Sequence, residues 1–171
     1  MPAPVFVDTN LFVYARDANA AEKQHVARAW LDSLWRERSG RTSTQVLSEY
    51  FVTVTRKLRP GLDPADAWDD VAALMTWRPA PNDESALRSA REIQLRHQLS
   101  WWDSLVVASA LRQQCALLLT EDLQDGTVFG NVTVRSPFRL GAGEPSPAPY
   151  EATSQAARRH PARGRPRRPV P

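Results

Sequence analysis

The chain is short of cysteine, of lysine and of long apolar runs, and each shortage narrows what it can be. Cys115 is the single cysteine among 171 residues, so no internal disulfide can form, which suits a reducing compartment. No run of about 18 apolar residues occurs, and the chain does not open on a basic segment followed by an apolar stretch. The expectation is a cytoplasmic protein with neither membrane span nor secretory signal. The three histidines, His25, His97 and His160, are scattered and read as surface or core positions, which removes the usual zinc donor sets. There is no P-loop, no glycine-rich nucleotide fingerprint, no GxSxG elbow and no internal repeat. Lysine is limited to Lys23 and Lys57; the other 20 basic residues are arginine, a bias that GC-rich coding also produces.

What is present reads as a soluble globular chain, with 42% hydrophobic and 24% charged residues. Its length suits one domain with a proper core. The basic pI of about 9.5 is unevenly earned. Residues 144–171 hold six arginines against Glu144 and Glu151, a net +4, so the total of +3 leaves the preceding residues at −1. The same stretch has seven of the 14 prolines, and its only large apolar side chains are Tyr150 and Val170. Such a composition buries too little surface to offset its chain entropy. The expected organisation is therefore a domain over 1–142 and a disordered Pro/Arg-rich tail over 143–171.

Within the domain, Val5, Phe6 and Val7 read as a strand buried on both faces, ended by Asp8. Leu11 to Ala15 then begin a helix. An amphipathic helix follows over Ala21–Arg38, with Val26, Trp30 and Leu34 beside Ala27, Leu31 and Trp35 on its apolar stripe, and Gly40 ends it. Arg41–Ser43 reads as a brief strand, and Thr44 as the cap of a helix over Gln45–Leu58 that Pro60 and Gly61 break. Asp63 and Pro64 start the next helix, to about Trp77. Arg78–Pro81 reads as an edge strand. Asp83 caps a helix that buries Ala86, Leu87, Ala90, Ile93 and Leu95. Ser100 caps Trp101–Gln113, apolar nearly all round and so central. Ala116–Leu119 and Val132–Arg135 complete the strands. Strands separated by helices point to an α/β fold: a three-layer α/β/α domain around a short, mostly parallel sheet.

Four acids stand out by position. Asp8 and Asp122 each follow a buried strand, on the edge of a parallel sheet where ligands bind. Asp103 lies in the first turn of the apolar helix, where an isolated carboxylate is costly to bury. Glu49 precedes the apolar pair Tyr50 and Phe51. Each has a plainer role available: Asp8 or Asn10 as a helix cap, Asp103 in a capping box with Ser100, Asp122 as a turn residue, Glu49 as a solvated surface acid. If they converge, they need a counter-charge, and hard carboxylate oxygens without a Cys or His cluster suit Mg2+ or Mn2+. An acid-only site with such a metal points to phosphodiester hydrolysis by metal-activated water.

The blocks VFVDTNLFVYA, SEYF, WWDSLVVASA and LLLTEDLQDG, in that order within about residues 4–138, resemble PIN-domain ribonucleases, and more closely the VapC-type toxins of bacterial type II toxin–antitoxin systems. The resemblance implies a Mg2+- or Mn2+-dependent endoribonuclease with catalytic acids Asp8, Glu49, Asp103 and Asp122. Asp8 and Asp103 would bind the metal directly, Asp122 would complete its shell, and Glu49 would position or activate water. Asn10 and Thr120 would support these ligands from behind. It further implies an RNA substrate, a homodimer, and a cognate antitoxin that inserts a peptide, often with an arginine, into the acidic pocket. Asp125, a spare acid near Asp122, and the basic tail depart from the usual compact form; Asp122 is favoured over Asp125 because it is nearer the strand end.

Two rivals stand beside this reading. A non-catalytic RNA-binding adaptor of the same fold would work through its arginines and tail, and retention of all four acids argues against it. A phosphoacceptor domain would need an acid paired with Asp8 and a well-placed lysine; Asn10 stands where that acid belongs, and only two lysines exist.

Overall fold

Val5–Val7 form strand β1, fully buried, and the other strands are laid out around it. The structure, a computed structural model, describes residues 2–139, so the expected tail over 143–171 lies outside the described residues. β1 pairs in parallel with β2 (Gly40–Arg41) on one side and with β3 (Leu117–Leu119) on the other. β3 pairs in parallel with β5 (Val132–Arg135), and β4 (Val128–Phe129) closes that edge antiparallel to β5. The order is β2-β1-β3-β5-β4. Together with the helices this is the expected three-layer α/β/α arrangement around a mostly parallel sheet.

The helices are α1 (Thr9–Tyr14), α2 (Ala21–Glu37), α3 (Thr44–Val52), α4 (Pro64–Leu74), α5 (Glu84–His97) and α6 (Trp101–Arg112). The main core gathers Phe6, Leu11, Leu34, Tyr50, Val107 and Leu118 among others, each buried. Full burial of a side chain such as Phe6 contributes about 1.5–3 kcal/mol. Every residue of α6 from Asp103 to Ala110 is buried, as its all-round apolarity predicts. A smaller cluster of Ala90, Leu105 and Ala108 joins α5 to α6.

Several local expectations are corrected. α2 ends at Arg38, in the left-handed conformation (φ 55), while Gly40 opens β2. A Cβ on Gly40 would lie 2.4 Å from the buried Trp77 ring, so glycine is required there by close approach and not as a helix stop. Ser43, not Thr44, caps α3: its hydroxyl accepts from the Val46 amide at 3.3 Å. The α-helix also stops at Val52 and widens into a π-turn over Thr53–Lys57. The edge strand at Arg78–Pro81 is reduced to one bridge between Ser43 and Ala80. Leu87 and Leu95, assigned to the buried side of α5, are 42% and 63% exposed. The β4–β5 hairpin was absent from the sequence reading, although Gly130–Asn131 at its tip carries a hairpin signal; Gly130 has φ +57.

The topology fixes where a site can form. From β1 the chain passes to β2 on one side; from β3 it passes to β4 and β5 on the other. Strand order therefore reverses between β1 and β3, and a crevice opens beyond their carboxyl ends. Asp8 and Thr120 are the first residues past those ends.

Candidate active site

Asp8 is 1% exposed and sits one residue beyond β1, its amide still donating to Leu119 O across the sheet at 3.1 Å. Oδ1 accepts from the Thr9 amide at 2.7 Å and so caps α1. Oδ2 accepts from the Thr120 hydroxyl, also at 2.7 Å. The Thr120 hydroxyl in turn accepts from the Asp122 amide at 3.1 Å. One fully buried hydroxyl thus spans the crevice and joins the Asp8 carboxylate to the backbone that carries Asp122. Asn10 reaches the same acid, its Nδ2 3.5 Å from Asp122 Oδ2.

Glu49 enters from α3 through neutral donors. Its Oε2 accepts from the Thr9 hydroxyl at 3.2 Å, and its Oε1 from Gln45 Nε2 at 2.8 Å, one helical turn earlier. Asn82 Nδ2 lies 3.4 Å from Gln45 Oε1 and holds that amide in turn. Glu49 is half-buried, not a solvated surface acid. Asp103, 6% exposed, is placed by the first turn of α6. The Ser100 hydroxyl accepts from the Asp103 amide at 3.1 Å and donates to Asp103 Oδ2 at 2.7 Å. The capping motif and the awkward buried acid are therefore the same feature. Asp125 turns to other work: its Oδ1 accepts from the Ser136 amide at 2.7 Å and pins the turn before β4 to the chain leaving β5.

Hydrogen bonds thus connect Asp8, Glu49 and Asp122 through Thr9 and Thr120. The Ser100–Asp103 pair was legible as a capping box, whereas Thr9, Gln45 and Asn82 were missed as supporting residues. The i, i+4 spacing of Gln45 and Glu49 was the available signal for one of them; the others are paired by tertiary contact. Among the described residues, no three His, Cys, Asp or Glu side chains are gathered as a ready-made metal cage. The donor chemistry nevertheless fits a hard divalent cation. The oxygens are carboxylates oriented by hydroxyl and amide donors, as metal-binding carboxylates commonly are. Asn10 Oδ1, beside Asp122, is buried with no hydrogen-bond partner and adds a neutral acceptor.

A cavity of about 290 Å3 lies elsewhere, between α1, α2, α3 and α4, and none of the four acids lines it. Beside it Arg16 pairs with Asp70, which also accepts from the Tyr50 hydroxyl. Burial first, and then the bond to Asp70, hold Tyr50 protonated well above its ordinary range. Cys115 is likewise pushed up to about 12, by burial, with Arg41 working weakly against it. Its thiol is a core group and not a nucleophile.

Fold and site together define an α/β/α domain with Asp8 and Asp122 at the carboxyl edge of a parallel sheet. The sequence model of the PIN domain matches residues 5–124, and the chain belongs to that family. Among solved structures, the chain is similar to VapC20 of Mycobacterium tuberculosis, described as a sarcin-ricin-loop-cleaving toxin. That match has a TM-score of 0.51 and 20% identity, covering 67% of this chain and 86% of the other; at that identity it speaks for the fold. A search of curated proteins finds no match.

Proposed function

We propose that the protein is a Mg2+- or Mn2+-dependent endoribonuclease, the toxin component of a toxin–antitoxin pair. The observation that carries this is the buried Asp8 carboxylate at the β1/β3 switch point, bonded to Thr120 and linked to Glu49 and Asp122. A carboxylate that is 1% exposed at the carboxyl edge of a parallel sheet suits a hard cation. Asp8, Asp103 and Asp122 would hold the metal, with Asn10 and Thr120 fixing their orientation. The bound cation supplies transition-state charge stabilisation and a lowered water pKa. Glu49, restrained at both oxygens, orients the attacking water and takes its proton on a remaining lone pair. In this reading the partners are an RNA substrate, a cognate antitoxin that inserts an arginine-bearing peptide at the acidic edge, and a second copy of the chain. The place of action is the cytoplasm; among the described residues no helix is long and apolar enough to cross a membrane.

The test uses purified protein and structured RNA, with the sarcin-ricin loop named for VapC20 as a first substrate. Asp8→Asn and Asp103→Asn should each lower cleavage by about a hundredfold or more, since losing even a partner that orients a metal ligand costs about 10–100-fold. EDTA should abolish cleavage and Mn2+ restore it. Full activity in EDTA ends the metal reading. RNA binding without cleavage by the wild type, unchanged in Asp8→Asn, would establish the non-catalytic adaptor instead.

A further inference from the structure

Lys23, one of two lysines in the chain, stands in the first turn of α2, its side chain 40% exposed and its ammonium group in contact with residues from three other segments. Its Nζ is 2.6 Å from Glu121 Oε1 and 3.1 Å from the Tyr14 hydroxyl. The same nitrogen lies 4.4 Å from the Tyr14 ring centroid and 4.9 Å from that of Phe138. Those two rings meet edge to face at 5.2 Å. The triangle closes where the Tyr14 hydroxyl donates to Glu121 Oε2 at 3.4 Å. Glu121 is therefore held at both oxygens, and Lys23 combines an ion pair with two cation–π contacts. Burial works against its charge, yet the hydrogen bonds to Glu121 and Tyr14 leave the ammonium favoured above its ordinary range.

What the cluster holds is the residue before Asp122. Asp122 itself is held by Thr120 and Asn10. A single peptide unit separates it from the restrained Glu121, which lies between Thr120 and Asp122. Catalytic and metal-binding groups tolerate misplacement of only about 0.5 Å, so a clamp one residue away reaches the site. We infer that Lys23 is a positioning residue for Asp122, acting through Glu121, Tyr14 and Phe138 to fix the turn after β3. The inference rests on the nuclease reading for its consequence, though not for the clamp itself. A compact ammonium can donate in two directions between two rings; a planar guanidinium stacks on one of them. Arginine is thus an imperfect replacement despite its charge.

The experiment compares full-length wild type, Lys23→Met, Lys23→Arg and, as a destabilised control at the opposite end of the sheet, Gly40→Ala. Mn2+ affinity is read by calorimetry, hydrogen exchange on the segment covering residues 120–126, and kcat and KM on RNA. Lys23→Met should weaken Mn2+ binding about tenfold, speed exchange in that segment and lower kcat more than it raises KM. Lys23→Arg should recover part of each effect, and Gly40→Ala should show none of them. Unchanged exchange in Lys23→Met overturns the clamp. Equal loss of Mn2+ affinity in Gly40→Ala overturns positioning in favour of a general stability effect. If wild type neither binds Mn2+ nor cleaves RNA, the nuclease reading falls, and the exchange comparison still decides whether Lys23 orders the turn.

Discussion

Asp8 divides its two oxygens between two tasks, one capping α1 and the other taking the Thr120 hydroxyl across the sheet. The plain reading of this residue as a cap and the functional one as a site acid are therefore not alternatives. Ser100 and Asp103 repeat the pattern, since the capping hydroxyl also orients the carboxylate. Thr120 is the test of how much the crevice depends on one hydroxyl. Thr120→Val keeps shape and volume but removes the donor to Asp8 and the acceptor for the Asp122 amide. A buried group deprived of its partner costs about 1–3 kcal/mol; urea denaturation should show a loss of that size, and cleavage should fall with it. A loss below about 0.5 kcal/mol, within the range of a neutral surface change, would mean that water replaces the hydroxyl. At this scale the strand-end and first-turn acids were legible because a strand end and a cap have local signatures. Glu49 was the weakest of the four on physical grounds, since its donor Thr9 becomes visible only when α3 is laid beside α1 and Gln45 offers no more than an i, i+4 spacing.

Helices α2 to α6 all lie where apolar periodicity and the caps Asp63, Asp83 and Ser100 put them, but glycine is not what stops them. Arg38, Arg78, Gln98 and Gln114 take the left-handed conformation, with φ between 53 and 55, where glycine is the usual signal. A β-carbon makes that conformation unfavourable by about 1–2 kcal/mol, part of which glycine's greater unfolded-state entropy gives back. Gln98→Gly should therefore stabilise the protein by about 0.5–1 kcal/mol. Gly40 predicts the reverse: its missing side chain admits the Trp77 ring, and alanine there should cost about 1–3 kcal/mol through overpacking. Thermal melts of the two variants should shift in opposite directions. A stabilising Gly40→Ala would show that Trp77 moves aside freely.

The whole molecule sets an acidic edge on a body of net charge −1, and its proposed substrate is a polyanion. The sheet order that creates this edge was not legible, because which strands pair is decided by tertiary packing and not by any strand's own pattern. The charge imbalance was legible, and it raises the question of what attracts RNA. We propose that the six arginines within residues 144–171 do so by contacting phosphates without regard to sequence. Truncation after Gly143 should leave the melting temperature and the cleavage position unchanged. RNA affinity should fall, and the slope of log affinity against log salt should become shallower by up to about 4, given roughly 0.7 per phosphate contact on single strands. Filter binding over a salt series measures both quantities. A truncated chain that cuts elsewhere would make the segment part of substrate selection, and an unchanged slope would place RNA attraction on the domain's own arginines.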